Sequence, residues 1–441
     1  MVKVNMVKVN MTNVNMMKKI HFASAILVLL FLSGCAMGPN FKPPMVETPK
    51  NYRFEEVPVE TMINLKWWEL FDDPVLYTLV SQALSNNKDL KVAAARVEQA
   101  RAYLGFTRAD QYPGFYIQGG AGTGNFSGGR SDTRNGNYYV GPALSWELDF
   151  WGKFRRGTES AKARLMASEY GLRTVQIGLI SAVVGSYYRL LDYHQRVKIS
   201  KDTLKSRNES LHIIQRRFDR GIIPELDVNQ AQIQKEIAAA AIPQYERAVA
   251  QTENGISILL GKLPEPIKTG KKLNLETAPP KVPMGLPSTL LERRPDIVQA
   301  RFLLESQTAN IGVAEAMRFP AISLTGFLGL ATSELASITS SGGAWSVGGG
   351  LFGPIFEFYK NVRRVEIEES KTQETLYFYE NTVLTAFKEV EDSALFSAQL
   401  ELSELKQQYL NGYVKLYKAL GGGWTTKEDR KAIAGFIGYK P

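Results

Sequence analysis

The chain has 441 residues, of which 44% are hydrophobic and 22% are charged. This balance excludes a chain that is disordered throughout and fits two or three ordinary domains or one elongated domain. Its single cysteine, Cys35, excludes an intramolecular disulfide, and three histidines without a second thiol are too few for a structural zinc site. The formal charge of +9 includes four lysines in residues 1–34, and the remaining 49 basic against 44 acidic residues predict no nucleic-acid partner.

Residues 1–34 have the pattern of a signal peptide. Lysines precede an apolar run at 22–32, and these 11 residues fall short of the ~20 that a membrane-spanning helix needs. The five-residue repeat within residues 1–15 has no packing logic, so translation is expected to start at Met16 or Met17.

The signal ends in Leu32-Ser33-Gly34-Cys35, which resembles a bacterial lipobox. In a lipobox the cysteine thiol receives a diacylglycerol, and cleavage leaves that cysteine as the lipidated amino terminus. Ala36 follows in place of the aspartate associated with inner-membrane retention, which implies delivery to the outer membrane. We predict lipidation at Cys35 and a permanent anchor in outer-membrane lipid. An ordinary secretory signal with an incidental cysteine is the alternative.

The chain is internally duplicated. Leu79 to Phe115 aligns with Leu286 to Ile322 at a constant offset of 207, and aromatic and arginine pairs farther on align at an offset of 208. The predicted organisation is a lipidated segment at 35–78, a first repeat at 79–285, a second repeat at 286–424 and a polar tail at 425–441.

Each repeat predicts a helix followed by two strands. Apolar residues at helical spacing fill residues 79–107, and residues 114–150 alternate as two strands around a polar turn. The second repeat predicts the same β-hairpin at 321–356. Each strand has about ten residues, which is the length that a tilted strand needs to cross a bilayer.

A long helical hairpin is predicted at 158–260. Its first helix would be about 90 Å long, ending at Gly221, where glycine can form a left-handed C-cap. Asp227 is predicted to N-cap the returning helix, which Pro243 would bend. Apolar residues recur at every seventh position, as in a coiled-coil seam: Val183, Leu190, Val197, Leu204, Leu211 and Phe218.

The second repeat lacks part of this hairpin. It keeps the first leg through Val383, Ala386 and Val390, and it keeps the ending at 416–423. Between these the offset falls from 208 to 160, so about 48 residues of the hairpin are missing. The second hairpin is therefore predicted to be short.

Four strands of bilayer length cannot close a barrel alone, because an open sheet edge in lipid leaves backbone groups unsatisfied. The ordered motifs resemble the outer membrane factor family, the TolC/OprM-like exit ducts of tripartite efflux pumps and type I secretion systems. These motifs are Cys35–Phe41 with Pro43, Trp67-Trp68 before Phe71-Asp73-Pro74, Leu148–Lys153, Glu292–Ile297, Gly353–Phe356, Glu389–Asp392 and Leu416–Trp424.

The resemblance implies an α+β membrane protein in which long helical coiled-coil hairpins join four transmembrane strands per chain. Three chains would form a twelve-stranded β-barrel continued by a periplasmic α-barrel. The family binds no cofactor and does no chemistry. Its implied partners are two further copies of the chain, a periplasmic adaptor protein and an inner-membrane pump, usually of the resistance-nodulation-division type.

Five residues match the family's hairpin-tip motif, which in the resemblance meets the adaptor and constricts the periplasmic mouth: Phe218, Gly221, Leu226, Asp227 and Val228. Turn formation and helix capping alone would also explain Gly221 and Asp227. Aromatic residues of the strands are candidates for interfacial girdles: Phe115, Tyr138, Tyr139, Trp146, Trp345 and Phe352.

Three other functions stay open at this point. A type I secretion duct would share the motifs, and a structural coiled-coil lipoprotein would share the seam without a pore. A hydrolase is disfavoured, because the carboxylates Glu389, Glu391 and Asp392 have no accompanying histidine or nucleophile and fit a solvated helix face.

Overall fold

A computed structural model describes residues 36–46, 48–49, 73–124, 135–270, 287–340, 343–399 and 415 of the chain. Within these ranges seven α-helices and four strands follow one another. They are α1 (Pro74–Asn86), α2 (Lys88–Ala109), β1 (Gly114–Gly124), β2 (Asn135–Leu148), α3 (Lys153–Asp219), α4 (Glu225–Leu259), α5 (Pro287–Arg293), α6 (Pro295–Ala316), β3 (Ala321–Thr332), β4 (Gly343–Phe352) and α7 (Lys360–Gln399). A 3₁₀ turn, Leu335–Ser337, joins β3 to β4.

The helix predicted at 79–107 is two helices. Asp73 caps α1 by accepting hydrogen bonds from the N–H groups of Val75 (2.9 Å) and Leu76 (3.3 Å). The break between α1 and α2 falls at the buried Asn87, whose side-chain oxygen accepts from the N–H of Leu90 at 2.9 Å. An asparagine competes with the helix backbone in this way, so apolar spacing alone did not predict the break.

The long helical hairpin is present. Helix α3 has 67 residues and begins at Lys153, five residues before the predicted start. The reason is Asp149, whose carboxylate accepts hydrogen bonds from the N–H groups of Phe154 (3.0 Å) and Arg155 (2.8 Å). Helix α4 has 35 residues and contains Pro243.

The chain divides into two compact units. The described residues up to Pro44, with Gln99–Leu165 and Phe302–Tyr377, form the first unit, which contains all four strands. The second unit draws on Met45–Glu98, Met166–Arg301 and the chain from Phe378, and contains the distal part of the long helical hairpin.

The four strands form one antiparallel sheet in the order β1-β2-β3-β4. Gly114 pairs with Ser145 in β2, and Ala321 pairs with Phe352 in β4. Both predicted hairpins are thereby confirmed, and β2 pairs with β3 across the two repeats. Among the described residues, β1 and β4 each pair on one side only and form the two edges of the sheet.

The second unit, called the helical unit below, buries its apolar residues in two clusters. Of the predicted seam, Val183 and Leu190 are fully buried, Leu204 and Leu211 are half-buried, and Phe218 is 36% exposed. The seam therefore loses cover towards the tip. Within the described residues, no helix is both long and apolar enough to span a membrane. The largest core cluster includes Leu76, Val80, Leu90, Ile180, Val183, Tyr187, Leu190, Ile256 and Leu260.

Candidate functional site: the hairpin tip and the four-stranded sheet

Helix α3 ends in a Schellman motif. Gly221 has φ +70°, its N–H donates to the carbonyl of Phe218 at 2.7 Å, and the N–H of Ile222 donates to the carbonyl of Arg217 at 3.0 Å. The predicted glycine C-cap is confirmed, since a left-handed residue at this position satisfies carbonyls that the helix leaves free.

The predicted N-cap of the returning helix is wrong. Helix α4 begins at Glu225 with Pro224 as its N-cap, and no side chain caps it. Asp227 lies inside the first turn, and its N–H donates to the carbonyl of Pro224 at 3.2 Å. Pro224 has φ −76° and ψ 159°, an extended conformation, and the helix begins directly after it, three residues before the start that the capping-box pattern indicated. Asp227 and Glu225 still favour the positive end of the helix dipole.

The tip presents apolar side chains to solvent. Ile222 and Leu226 are 58% and 62% exposed, Phe218 is partly exposed, and Val228 is half-buried. Beside them a shallow groove runs between α3 and α4, lined by Arg207 and Arg217 on one side and by Asp227, Gln230 and Gln234 on the other. The five predicted tip residues thus lie at the end of α3, in the connection and in the first turn of α4, where exposed apolar groups lie beside charges of both signs.

The predicted aromatic girdle residues fall into two groups. Phe115, Trp345 and Phe352, on the edge strands β1 and β4, are 75%, 77% and 86% exposed. The other three lie on the inner strand β2 and are half-buried: Tyr138, Tyr139 and Trp146. The Trp146 indole N–H donates to the carbonyl of Gln111 at 3.1 Å, and Tyr139 packs edge-on against Phe327, with ring centroids 5.8 Å apart. Exposed aromatic residues thus concentrate on the edges of the sheet.

Arg294 joins three helices through buried charge, a role that the sequence did not reveal. Its guanidinium, with only 5% of the side chain exposed, bonds the Asp296 carboxylate at 2.6 Å and Glu389 of α7 at 2.9 Å. Burial disfavours its charge, but the two carboxylates raise the pKa of Arg294 above the ordinary arginine value. Glu389 is therefore an ion-pair partner of a buried guanidinium, while its own side chain, 40% exposed, stays on the partly solvated helix face that was predicted.

A second buried polar contact, centred on Tyr187, joins three separate parts of the chain. The Tyr187 hydroxyl donates to the Asp73 carboxylate at 2.6 Å and accepts from the N–H of Gly270 at 3.0 Å. Burial, followed by the hydrogen bond to Asp73, raises the pKa of Tyr187 above its usual value. Tyr187 thereby links the start of α1 to the chain that leaves α4.

These contacts are structural in character. Among the described residues, no group of three or more His, Cys, Asp or Glu side chains could hold a metal ion. Cys35, residues 400–414 and the ending at 416–423 lie outside the described residues. The features that can serve a function are the exposed tip and a sheet of long strands with two open edges.

A long helical hairpin on the same chain as a four-stranded sheet of 10- to 14-residue strands defines the class of outer-membrane channel subunits. The sequence profile of the family described as "Outer membrane efflux protein" matches residues 79–262 and 286–395. The chain belongs to this family, whose members are transport ducts of the outer membrane, and the predicted resemblance is confirmed.

Relatives cover nearly the whole chain. The probable outer membrane lipoprotein SilC of Salmonella typhimurium is 33% identical over 407 residues, covering 90% of this chain and 88% of SilC. The cation efflux system protein CusC of Escherichia coli (strain K12) is 32% identical over 393 residues, covering 87% and 85%. The toluene efflux pump outer membrane protein TtgC of Pseudomonas putida is 31% identical over 465 residues, covering 91% and 95%.

Solved structures of outer-membrane channels have the same fold as this chain. The outer-membrane channel OprN superposes with a TM-score of 0.78 at 29% identity, covering 88% of this chain and 100% of OprN. The CmeC outer membrane channel of Campylobacter jejuni gives 0.80 at 25% identity, covering 91% and 98%. The protein is thus an efflux protein of the outer membrane with the helical and β regions of these channels.

Proposed function

We propose that three copies of this chain form the exit duct of a tripartite efflux system. Their sheets close a twelve-stranded barrel, and their helical hairpins continue it as a periplasmic α-barrel. The observation that carries the proposal is the pair of open edges on β1 and β4. In lipid every unpaired N–H and C=O on such an edge costs several kcal/mol, so each edge needs a neighbouring chain.

Transport through this duct is passive. An inner-membrane pump, of the resistance-nodulation-division type, supplies the energy and selects the solute, and a periplasmic adaptor joins the two. The relatives are named for efflux of cations and of toluene, so we infer that the duct carries small solutes. Those names favour efflux over type I secretion.

Crosslinking across the sheet edges tests the trimer. In a Cys35→Ser background, Phe115→Cys on β1 and Leu351→Cys on β4 place two exposed thiols on opposite edges. A short bis-maleimide should give a ladder that ends at three chains. The control pair Ser145→Cys and Thr325→Cys, which face each other across β2 and β3, should crosslink within one chain. A ladder that continues past three, or none, contradicts the barrel.

Lipidation of Cys35 is part of the proposal. Radiolabelled palmitate should enter the wild type and be absent from Cys35→Ser, because acylation needs the thiol. The variant should remain partly membrane-associated, since the barrel also holds it. Equal labelling of both proteins would contradict the lipid anchor.

The exposed tip is proposed as the adaptor contact, made by Phe218, Gly221, Leu226, Asp227 and Val228. Leu226→Glu should weaken capture of the adaptor by about tenfold, because a desolvated carboxylate replaces an apolar contact. Leu263→Glu is the control, since Leu263 is 85% exposed and lies beyond the far end of α4. Equal loss in both variants would place the contact elsewhere.

We further propose that the second hairpin of each chain is short, leaving three of six hairpins at full length. The family profile stops matching at residue 395, close to the position of the gap in the repeat. Such a duct should close poorly. Expressed in a strain without its own duct, it should restore drug resistance only in part and raise sensitivity to large antibiotics such as vancomycin. Full restoration without that sensitivity contradicts the proposal.

A further inference from the structure

Arg156, near the start of α3, is almost fully buried and bonded to the chain just after the lipidation cysteine. Its Nε donates to the carbonyl of Met37 at 2.9 Å, and its Nη2 donates to the carbonyl of Gly38 at 3.0 Å and to the Asn40 side chain at 2.8 Å. Its Nη1 pairs with Glu159 at 2.8 Å. The side chain is only 5% exposed, so the rigid guanidinium fork is filled by partners from residues 36–40 and from its own helix. Residues 36–40 are called the N-terminal segment below.

Glycines let this segment approach the fold closely. Gly38 has φ +82°, and a Cβ on it would lie 2.4 Å from the Cα of Gly312 in α6. A Cβ on Gly312 would lie 2.5 Å from the carbonyl oxygen of Met37, and one on Gly152 would lie 2.7 Å from the Cα of Ala36. No larger residue fits these three positions without a backbone shift, so the fold contains a seat shaped for this segment.

The seat also reaches the strand ends. The N–H of Met37 donates to the carbonyl of Trp151, just after β2, at 3.1 Å. The Trp151 indole N–H donates to the carbonyl of Pro320, just before β3, at 2.8 Å, and its ring stacks on Phe319 with centroids 4.5 Å apart. The N-terminal segment is therefore fastened to the ends of both hairpins of the sheet.

We infer that Arg156 is a positioning residue for the lipid anchor. This inference rests on the proposed acylation of Cys35. Adjacent Cα atoms are about 3.8 Å apart, so Cys35 is one residue from a segment held by three side-chain hydrogen bonds. A flexible tether of n residues would spread the anchor over roughly 5–6 Å times the square root of n, and here no such tether precedes the fold. The seat fixes where the acyl chains leave the protein relative to the strand ends, and hence the depth of the sheet in the membrane.

The duplicated chain offers a matched control. Arg364 occupies the position of Arg156 in the second repeat, at the offset of 208, and its Nη1 donates to Asn361 one turn earlier on α7 at 2.6 Å. Among the described residues, the side-chain hydrogen bonds to the N-terminal segment come from Arg156 and not from Arg364. Arg156→Gln and Arg364→Gln therefore make the same chemical change, but only Arg156→Gln removes the hydrogen bonds that hold the N-terminal segment.

Hydrogen exchange measured by mass spectrometry on purified protein tests the seat. Exchange in the peptide covering residues 36–44 should rise by about tenfold or more in Arg156→Gln and stay at the wild-type rate in Arg364→Gln. Cys35→Ser should keep the protection, because protein groups make the seat. Arg156→Lys, which keeps the charge without the fork, should exchange at an intermediate rate and serves if Arg156→Gln fails to assemble. Wild-type protection in both Arg156 variants, or equal loss in Arg364→Gln or Cys35→Ser, would overturn the inference.

Placement of the lipid is measured with a palmitate analogue that carries a photoreactive group near its carboxyl end. Crosslinks to peptides of the sheet-containing unit should fall by about fivefold in Arg156→Gln, with palmitate incorporation and strand signal unchanged. A structural role alone would leave the crosslinks of the folded protein unchanged, and that result would overturn the inference. Absence of the analogue from the wild type would instead contradict the proposed acylation and leave the exchange experiment as the test of the seat.

Discussion

Replacing Tyr187 by phenylalanine removes one oxygen from a fully buried contact of the helical unit. That oxygen donates to the Asp73 carboxylate at 2.6 Å and accepts from the N–H of Gly270 at 3.0 Å. Tyr187 has no exposed surface and Asp73 is 9% exposed, so water cannot replace the lost partner without opening the core.

The expected loss follows from these contacts. A hydrogen bond to a charged group contributes about 1.5–3 kcal/mol, and a buried N–H left without a partner costs about 1–3 kcal/mol. Asp73 keeps two backbone donors, Val75 and Leu76, so its carboxylate is not left bare. We therefore expect the free energy of unfolding to fall by about 3 kcal/mol, in the lower half of the combined range.

Denaturant unfolding in detergent, followed by helical circular dichroism, measures the effect. Tyr77→Phe is the control, because Tyr77 is 49% exposed and should change stability by less than about 0.5 kcal/mol. Asp73→Asn and the double variant complete a cycle, with an expected coupling energy of about 1.5 kcal/mol or more. Additive effects, or a loss below about 1 kcal/mol in Tyr187→Phe, would show that this contact does not hold the unit together.

Three further outcomes are expected. Burial raises the pKa of Tyr187 in the folded state, so its contribution to stability is complete below the unfolded pKa of about 10 and falls by about 1.4 kcal/mol per pH unit above it. Burial also raises the pKa of Tyr188, so Tyr187→Phe should reduce the slope of stability with pH by that amount and leave the rest. Gly221→Ala should lower the stability of the tip by about 1–2 kcal/mol, which faster hydrogen exchange there would report. The loss comes from the left-handed backbone alone, because an added Cβ meets no atom within 4 Å. Arg294→Ala should lower the free energy of unfolding by about 3 kcal/mol, because it leaves the charges of a buried ion pair without their partner. Glu389→Gln should lower it by less than about 1 kcal/mol, because the Glu389 side chain is 40% exposed, and Arg293→Ala is the control.

The sheet could be predicted from the sequence because its signal is local. Alternating residues between glycine-rich turns mark strands, and the same hairpin pattern occurs once in each repeat. The strands β1 and β3 accordingly begin at the predicted Gly114 and Ala321. The C-cap at Gly221 was predicted for the same reason, since glycine after a long helix is a local pattern. The pairing of β2 with β3 is not local, and it followed only from the structure.

The polar contacts could not be predicted, because their partners lie far apart in the chain. Arg156 and Met37 are 119 residues apart, and Arg294 and Glu389 are 95 apart. An arginine in an exposed helix and one in a buried clamp have the same sequence pattern. The one available signal was the repeat itself, which aligned Arg156 with Arg364 without indicating that only the first is buried.

The two repeats differ where the sheet joins the helices, and the N-terminal segment explains the difference. In the first repeat Gly152 takes φ +78°, and Ala36 fills the space where a side chain would lie. The second repeat has Lys360 at this position and takes the left-handed conformation at Phe358 and Tyr359 instead, with φ 46° and 61°. Such residues cost about 1–2 kcal/mol each in that region, whereas glycine adopts it freely. A glycine is needed only in the first repeat, because among the described residues only that junction receives the N-terminal segment.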